Sequence, residues 1–566
     1  MQPYPTPSAG VSLACFLSLL LLAGCGRSPG TGVTADGTPA PDDRPNIVVI
    51  MADDLGYSDI GCYGGEINTP NIDALAADGI RMTQFYNNAR CCPTRASLLT
   101  GLYAHQVGLQ TNGPSMNFNC VTAAEALEAD GYQTGMSGKW HLTHAEPLPD
   151  PQEHLQWLAN QNGPEVYGDL ETYPNHRGFD EFYGIVWGVV NYFNPFSLVH
   201  NDAPLRDSIG EDFYMTDFIT DKAELLIDQF SEKEEPFFLY VAHTAPHWPL
   251  HALPEDIAKY KGRYDAGWGA LREERYARMV EMGLIDSSVS PDGGNESDRQ
   301  WPDVEDQNWE SEHMEVHAAM VDHLDAGVGR LIDKLKATGE YENTVIIFLA
   351  DNGASPERMY DPGYDRPAFT HDGTPIEYTD DHYEHPGPET TMAGIGQAWA
   401  GAANTPFRFW KAWSYHGGNA TPMIVHWSAG LEAEAGSLVR APGHVIDLMP
   451  TFLDLAGTEY PMDYADRDIP ALEGKSLLPL IKGQRREPHE VLFWQHDRGK
   501  AVRVGDWKLV RWADQPWELY DLSKDLTETN DLAAEYPEKV EELRARWQEK
   551  AEAVGYVDLG GRSMSE

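Results

Sequence analysis

The stretch CCPTRASLLTG occupies residues 91–101 and joins two cysteines, a proline and an arginine to a short apolar run that ends in glycine. We predict a loop over residues 87–93 and a helix over residues 94–99, because proline suits the first turn of a helix. Cys91 then lies just outside the helix N-terminus, where backbone N–H groups favour an anion. With Arg95 one turn further on, its thiol is expected to be acidic and reactive. An inert buried pair of cysteines, or a disulfide partner, ahead of an ordinary helix is the alternative interpretation.

Length and charge limit the classes of function. The chain has 566 residues, enough for more than one domain, and carries 41 Lys and Arg against 89 Asp and Glu, a formal net charge of −48. Nucleic acid is excluded as a partner, because phosphate binding needs clustered cations. An anionic substrate would be repelled by the overall field, so its site must supply cations locally.

The N-terminal segment is predicted to be a leader. Residues 11–23 are apolar but too few to span a membrane, and they run into LAGC at residues 22–25, which resembles a bacterial lipoprotein cleavage box. This predicts a signal peptide over 1–24, an acylated Cys25 as the only membrane contact, and export to the periplasm or cell envelope. Residues 1–10 contain no Lys or Arg, unlike most signal peptides, and a buried N-terminal helix is the alternative. Residues 25–44, rich in Gly, Pro, Thr and Asp, are predicted to be a flexible tether.

The remaining cysteines do not indicate a disulfide framework or a thiolate metal site. Of the six in the chain, Cys15 and Cys25 fall in the leader, and four remain for a large folded region. That number is too low for a disulfide-stabilised fold, and the sequence has no C-x-x-C pattern.

Two apolar runs each end in a pair of oxygen-bearing side chains. Residues 46–52 lead into Asp53 and Asp54, and residues 344–350 lead into Asp351 and Asn352. Uninterrupted apolar runs are typical of strands in a parallel sheet, and ligands bind at the carboxyl ends of such strands. Each site alone is better explained as an ordinary strand-to-turn boundary, where Asp, Asn and Gly are common. The repetition favours a hard cation, Ca²⁺ or Mg²⁺.

The rest of the pattern predicts an α/β fold with a large, mostly parallel sheet sandwiched by helices, followed by a smaller α+β domain. Further buried strands are expected at 235–242 and 423–427, a long amphipathic helix at 311–338, and a surface excursion at 253–305. Four short strands at 491–495, 500–504, 507–512 and 517–521 precede a helix at 537–554. We therefore place a catalytic domain at 45–480 and a C-terminal domain of antiparallel sheet plus helix at 481–566.

Separated motifs resemble those of the type I sulfatases, an arylsulfatase-like family of the alkaline phosphatase superfamily. They are CCPTRASLLTG, the two acidic strand ends, GKWHL at 138–142, APHWP at 245–249 and TPFRFWK at 405–411, and they follow the family order. The resemblance covers about residues 45–554. It implies catalytic roles for Cys91, Arg95, Lys139, His141, His247 and Lys411, and a Ca²⁺ site formed by Asp53, Asp54, Cys91, Asp351 and Asn352. On an extended segment Lys139 and His141 would point to one side. His416 stands where many relatives have Glu, so substrate contacts there are expected to differ.

The resemblance also implies a mechanism. A formylglycine-generating enzyme oxidises Cys91 to formylglycine, which is hydrated to a diol, and one hydroxyl beside the metal attacks sulfur. Arg95 orients the diol, the two lysines hold the sulfate, and His247 with Lys411 assists the leaving alcohol. His141 then takes the second diol proton, the aldehyde reforms and sulfate leaves.

Two other functions remain open at this point. A phosphonate monoester or phosphodiester hydrolase of the same superfamily would share the metal and Cys91. A non-catalytic surface protein that binds sulfated glycans would leave Cys91 unmodified. The sulfate ester itself could be an aryl sulfate, a sulfated carbohydrate or a choline-like ester.

Overall fold

The computed structural model describes residues 42–160, 167–290, 299–378, 385–464 and 467–558. The predicted signal peptide, Cys25 and residues 25–41 of the predicted tether lie outside the described residues. Within those ranges, every helix is too short or too polar to cross a bilayer. The four cysteines of the described chain, Cys62, Cys91, Cys92 and Cys120, are buried and free.

The main sheet has eleven strands, with the order β12-β2-β11-β8-β1-β7-β3-β4-β5-β6 and β13 paired to β2. The described strands are β1 (Asn46–Ala52), β2 (Ile80–Tyr86), β3 (Gln133–Lys139), β4 (Glu181–Ile185), β5 (Leu198–His200), β6 (Ala203–Pro204), β7 (Phe237–Ala242), β8 (Thr344–Ala350), β9 (Glu377–Tyr378), β10 (Thr391–Met392), β11 (Ala420–His426), β12 (Leu438–Val439), β13 (Gly443–His444), β14 (Asp463–Tyr464), β15 (Arg467–Asp468), β16 (Leu492–His496), β17 (Gly499–Val504), β18 (Trp507–Trp512) and β19 (Glu518–Asp521). Strands β8, β1, β7, β3 and β4 are parallel, whereas β11 runs antiparallel to β8 and β2. The predicted mixed, mostly parallel sheet is confirmed.

Helices cover both faces of this sheet. The described α-helices are α1 (Pro70–Asp78), α2 (Cys91–Thr100), α3 (Ala123–Ala129), α4 (Pro151–Asn160), α5 (Met215–Phe230), α6 (Pro254–Tyr260), α7 (Gly267–Glu281), α8 (Gln307–Thr338), α9 (Gly396–Ala403), α10 (His416–Asn419), α11 (Leu448–Ala456), α12 (Leu478–Ile481) and α13 (Pro537–Ala553). Alternate residues of β1 enter different cores: Val48 and Ile50 pack with α1, α5 and α8, and Ile47 and Val49 pack with α2, α3 and α11. A strand buried on both faces therefore has to be apolar throughout, which is the pattern of the sequence.

The register of the central strands places the acidic side chains together. Residue for residue, β1 pairs with β8 from Asn46 opposite Thr344 to Ala52 opposite Ala350. Both strands therefore end at the same level, and the next residues, Asp53 and Asp351, leave the sheet side by side.

Helix α2 begins earlier than predicted. It runs from Cys91 to Thr100 with Arg90 as its N-cap, so the predicted start at residue 94 is wrong and Cys91 is the first helical residue. Proline is tolerated at the third position as well as the first, because N–H groups throughout the first turn have no partner within the helix. Gly101, at φ +69°, ends the helix in the left-handed conformation.

The predicted surface excursion at 253–305 is also wrong in part. It contains α6 and α7, and on α7 both Trp268 and Arg275 are buried. The Arg275 guanidinium lies 2.7 Å from a carboxylate oxygen of Asp59 and 2.7 Å from one of Glu66. Because this buried face is held by ion pairs as well as apolar side chains, α7 lacks the apolar stripe by which sequence reasoning recognises a packed helix.

The C-terminal part forms the predicted small antiparallel sheet. Strands β16, β17, β18 and β19 pair in chain order, and α13 packs on them through Leu543 and Trp547. Tyr103 and Ile446 from the larger part join the same apolar cluster. The boundary proposed between residues 480 and 481 stays a prediction.

Removing Arg275 should destabilise the fold strongly. We expect Arg275→Leu to lower the free energy of unfolding by about 3–5 kcal/mol, because the two buried carboxylates would lose the guanidinium that they share. Among the described residues, Asp59 would keep only His317, at 2.9 Å, and Glu66 only Arg278, at 3.4 Å, as ion-pair partners. Arg263→Leu is the control, since the Arg263–Glu274 ion pair is 37% and 41% exposed and such pairs contribute about 0–1 kcal/mol. Urea unfolding followed by tryptophan fluorescence measures both variants, and equal transition midpoints would contradict the assignment.

Candidate active site

Four oxygen-bearing side chains meet at the carboxyl edge of β1 and β8. Asp53, Asp54, Asp351 and Asn352 are each at most 2% exposed. The Asp54 backbone, at φ +63°, turns so that its N–H donates to Asp351 Oδ1 over 3.2 Å. Asn352 Nδ2 donates to Asp54 Oδ1 over 2.6 Å. The two strand ends are thereby joined into one polar cluster.

Each of the three carboxylates has its own buried cation. Lys139 Nζ lies 2.6 Å from Asp53 Oδ2, and Lys411 Nζ lies 2.9 Å from Asp54 Oδ2. Arg95 binds Asp351 Oδ2 through Nε at 3.1 Å and Nη2 at 2.7 Å. These pairings balance the formal charge of the cluster, which is the condition under which charges persist in a protein interior.

Backbone hydrogen bonds hold the lysine-bearing loop in place. The N–H of Lys411 donates to Ala354 O over 3.1 Å, beyond the end of β8, and the N–H of Ala412 donates to Ala89 O over 2.7 Å, just before α2. Ala412 adopts φ +75°. The loop is therefore tied both to the metal-ligand candidates and to the segment that leads into Cys91.

Cys91 lies inside this cluster and not at its rim. Its sulfur and one ligand atom each of Asp53, Asp54 and His247 all lie within 4.8 Å of one another. Burial raises the pKa of the Cys91 thiol, against the opposing effect of Lys139 and Lys411. The predicted acidic thiol is therefore wrong, because the loss of hydration outweighs the helix terminus and the nearby cations.

His141 reaches the cluster by a different route from the one predicted. It follows the end of β3 at φ +58°, so simple strand alternation does not place it on one face with Lys139. Burial, and then the charges of Lys139 and Arg95, hold the pKa of His141 well below its usual value. Its Nδ1 is buried and has no hydrogen-bond partner among the described residues. The ring is thus a neutral imidazole at pH 7.

His247 contacts both Lys411 and Asp54. Its Nε2 is 3.1 Å from Lys411 Nζ and 3.4 Å from Asp54 Oδ2, and its Nδ1 donates to Trp248 O over 2.6 Å. This arrangement makes Nε2 the unprotonated acceptor of the Lys411 hydrogen bond. His243 is buried, and neither of its ring nitrogens has a hydrogen-bond partner among the described residues. Of the two histidines, the structure brings only His247 to the cluster.

The donor set fits a hard cation. Asp53 Oδ1 and Asn352 Oδ1 are buried without a hydrogen-bond partner within the described ranges. Burial, and next the neighbouring Asp351 carboxylate, raise the pKa of Asp53 to about 8. A divalent cation would satisfy the orphaned oxygens and relieve this repulsion. The ligand atoms that lie within 4.8 Å of one another come from Asp53, Asp54, Cys91 and His247. Asp351 is not in this group, and its two oxygens accept from Arg95 and from the Asp54 N–H.

Sequence reasoning missed Glu357 and Arg90. Glu357 Oε2 accepts from Trp248 Nε1 over 2.7 Å and from Ser355 Oγ over 2.8 Å, and it lies 3.4 Å from Lys411 Nζ. Arg90 Nη1 lies 3.5 Å from Glu357 Oε1. Burial acts to raise the pKa of Glu357, but Lys411 and Arg90 hold it well below its usual value. Both residues stand on irregular loops, where no spacing rule marks them.

His416 does not belong to this cluster. It is 1% exposed, its N–H donates to Glu528 Oε2 over 2.7 Å, and its Nδ1 contacts Leu526 O at 2.8 Å. Glu528 in turn forms a 2.7 Å ion pair with Lys508 on β18. The His416 side chain therefore packs against the C-terminal part, and the expected difference in substrate contacts stays a prediction.

Two family models and several known proteins match the sequence of this chain. A family model described as Sulfatase matches residues 45–458, and one described as N-sulphoglucosamine sulphohydrolase, C-terminal, matches residues 407–554. The chain is 33% identical to an uncharacterized sulfatase of Schizosaccharomyces pombe, over 90% of this chain and 93% of that protein. It is 31% identical to an arylsulfatase of Klebsiella aerogenes, over 79% of this chain and 94% of that protein.

A solved structure has the same fold. The crystal structure of Ps i-CgsB in complex with k-i-k-neocarrahexaose superposes with a TM-score of 0.62 at 26% identity, over 90% of this chain and 93% of that chain. The family model covers most of the described chain, including both acidic strand ends, Cys91, and the three candidate cations and two histidines around it. The chain therefore belongs to the sulfatase family, as a type I sulfatase of the alkaline phosphatase superfamily and a sulfuric ester hydrolase.

Proposed function

We propose that this chain is an arylsulfatase-type enzyme that hydrolyses sulfate monoesters with a Ca²⁺ ion and a formylglycine made from Cys91. The observation that carries the proposal is the position of Cys91. It is the first residue of a buried helix, and its sulfur lies within 4.8 Å of the carboxylates of Asp53 and Asp54. The charges of Lys139 and Lys411 act to lower the pKa of its thiol, against the effect of burial. A nucleophile formed there would have a cation site on one side and two sulfate-binding ammonium groups close by.

The oxygen ligands for the cation would be Asp53, Asp54, Asp351 and Asn352. Fully buried protein oxygens suit Ca²⁺ better than Mg²⁺, because Mg²⁺ usually keeps several of its waters. The bound ion would supply positive charge that stabilises a developing anion and polarises the sulfate ester. His247 is a less suitable ligand for a hard cation, and its Nε2 already accepts from Lys411.

The modified residue 91 would supply, once hydrated, a hydroxyl nucleophile and a second hydroxyl whose deprotonation releases sulfate. Around it, Lys139 and Lys411 would bind sulfate oxygens through charge-assisted hydrogen bonds. Arg95 is held by two hydrogen bonds to Asp351 and one to Lys139 O, at 3.0 Å, so its role would be to orient its neighbours. Such fixed charges stabilise an anion without reorganisation during the reaction.

Each of the two histidines would act in one proton-transfer step, His247 at the leaving alcohol and His141 at the second hydroxyl of residue 91. Lys411 Nζ, which donates a hydrogen bond to His247 Nε2, can protonate the leaving alcohol, and His247 would orient the ammonium group for this step. Water that enters after the alcohol has left would return the proton to Lys411. The neutral His141, whose Nδ1 has no partner among the described residues, can accept a proton from the second hydroxyl of residue 91. The two rings would thus serve the two halves of the reaction.

The natural substrate we propose is a sulfated carbohydrate. The support is the likeness to Ps i-CgsB, whose structure holds a neocarrahexaose. Maturation by a formylglycine-generating enzyme, and export as a lipoprotein acylated at Cys25, belong to the same proposal. The proposed export and acylation rest on the LAGC sequence at residues 22–25.

The mass of the peptide that contains residue 91 tests the nucleophile. In protein co-expressed with a formylglycine-generating enzyme, we expect the mass of an aldehyde or its hydrate in place of the thiol. Cys91→Ala should abolish sulfatase turnover without unfolding the chain, whereas Cys92→Ala should retain it. Unmodified Cys91 in protein from the native source, activity in Cys91→Ala, or a higher kcat/KM on a phosphodiester than on any sulfate ester would contradict the proposal.

Calcium should stabilise the protein through the carboxylate cluster. Adding Ca²⁺ at about 100 times its Kd to chelator-treated protein should raise stability by about 2.7 kcal/mol, because only the folded chain forms the site. The increase in Tm should vanish in Asp54→Asn and persist in Asp514→Asn, whose side chain is 99% exposed. Equal increases in the two variants would place the ion elsewhere.

Glu357 should position Lys411. In Glu357→Gln the neutral amide keeps an oxygen for Trp248 and Ser355 but loses its charge opposite Lys411, so we expect kcat to fall by about tenfold or more with little change in KM. Steady-state kinetics on an aryl sulfate measure this. Glu432→Gln, at a side chain that is 62% exposed, serves as the control. Unchanged kcat in Glu357→Gln would show that Glu357 has no such role.

A further inference from the structure

We propose that Tyr364 is a stacking platform for the pyranose ring of the leaving group, a subsite that rests on the proposed function. Tyr364 belongs to the segment that follows β8 and is 42% exposed. Aromatic side chains are normally buried or partnered, and an ordered, exposed ring beside a catalytic cleft is available to a ligand.

Tyr364 is held at three points, two on its side chain and one on its backbone, although the residue is exposed. It stacks on the buried indole of Trp187, with ring centroids 5.2 Å apart and planes 8° from parallel. The Tyr364 hydroxyl donates to Ala145 O. The backbone carbonyl oxygen of Tyr364 lies 2.6 Å from His154 Nε2. A surface that is already ordered loses little entropy when a ligand binds, and this favours recognition over a purely structural role.

The platform borders the candidate active site. Gly188, next to Trp187, lies so close to His141 that an added Cβ would be 2.3 Å from the imidazole ring. Ala145, which accepts the Tyr364 hydroxyl, is four residues beyond His141. Tyr364 thus lies where the group attached to a bound sulfate would extend.

The neighbours of the ring favour a sugar over an aromatic or aliphatic leaving group. Asp365 and Arg366, whose side chains are 29% and 32% exposed, follow Tyr364 directly, with 3.8 Å between Arg366 Nε and an Asp365 oxygen. A pyranose presents an apolar C–H face to the negative face of the aromatic ring and hydroxyls at its edge to such polar groups.

Binding to an inactive chain tests the subsite without depending on turnover. In Cys91→Ser protein, isothermal titration calorimetry would compare galactose and N-acetylglucosamine monosulfates, taking the sulfate position that binds best, with ring-less methyl sulfate. Adding Tyr364→Ala should raise the Kd of the sugar sulfate by about tenfold, the size expected for losing an aromatic contact. The Kd of methyl sulfate should change less than about twofold, since it reports only the sulfate-binding groups.

Two further variants separate the contribution of the Tyr364 ring from that of its hydroxyl and from that of the rest of the segment. Tyr364→Phe keeps the ring, and its Kd for the sugar sulfate should stay within about twofold of the parent value. Tyr360→Ala removes another exposed tyrosine of the same segment, 64% exposed, and should leave this Kd unchanged. Equal losses for sugar sulfate and methyl sulfate, an effect of Tyr364→Phe as large as that of Tyr364→Ala, or no binding of any sugar sulfate would overturn the subsite. Sugar binding by Cys91→Ser without turnover by the mature wild-type enzyme would contradict only the proposed function.

Discussion

Three buried carboxylates at one edge of a parallel sheet impose the arrangement around them. Burying one unpaired charge costs more than a folded protein of ordinary stability can tolerate, so Asp53, Asp54 and Asp351 each require a cation. The cations arrive from α2, from the end of β3 and from the loop at Lys411, which are distant in sequence. The neutralised cluster therefore joins distant parts of the chain, and the fold and the site depend on the same ion pairs.

The same cluster explains how a very acidic protein can act on an anion. The net charge of −48 is spread over a large surface and is screened within about 8 Å at physiological ionic strength. Lys139, Lys411 and Arg95 are nearly inaccessible to water, so they act in a medium where charges interact strongly. Local cations can thus outweigh the overall field at the distances over which a sulfate group is bound. Beyond Lys411 the ion pairs continue to partly exposed side chains, since Glu357 pairs with Lys411 and Arg90 pairs with Glu357.

Much of the architecture could be predicted from apolar periodicity. The runs at β1 and β8 are apolar throughout because both faces of each strand are buried, and the C-terminal strands are marked by regular turns. The errors occurred where tertiary contacts replace the local pattern. Helix α7 buries Arg275 in ion pairs and so lacks a clear stripe, and α2 begins at Cys91 although proline suggested a later start. His141 reaches the cluster through a left-handed turn that alternation does not predict.

The sequence by itself determined the parallel sheet, the paired acids at its edge and the identity of the residues around Cys91, because periodicity and motif order are local properties of the chain. Only the tertiary structure decided their environments. It raised the pKa of the Cys91 thiol by burial, turned His416 toward the C-terminal part, and brought Glu357 and Tyr364 to the site from irregular loops. These outcomes depend on desolvation and on contacts between residues far apart in sequence, and neither quantity is encoded in the spacing of neighbouring residues.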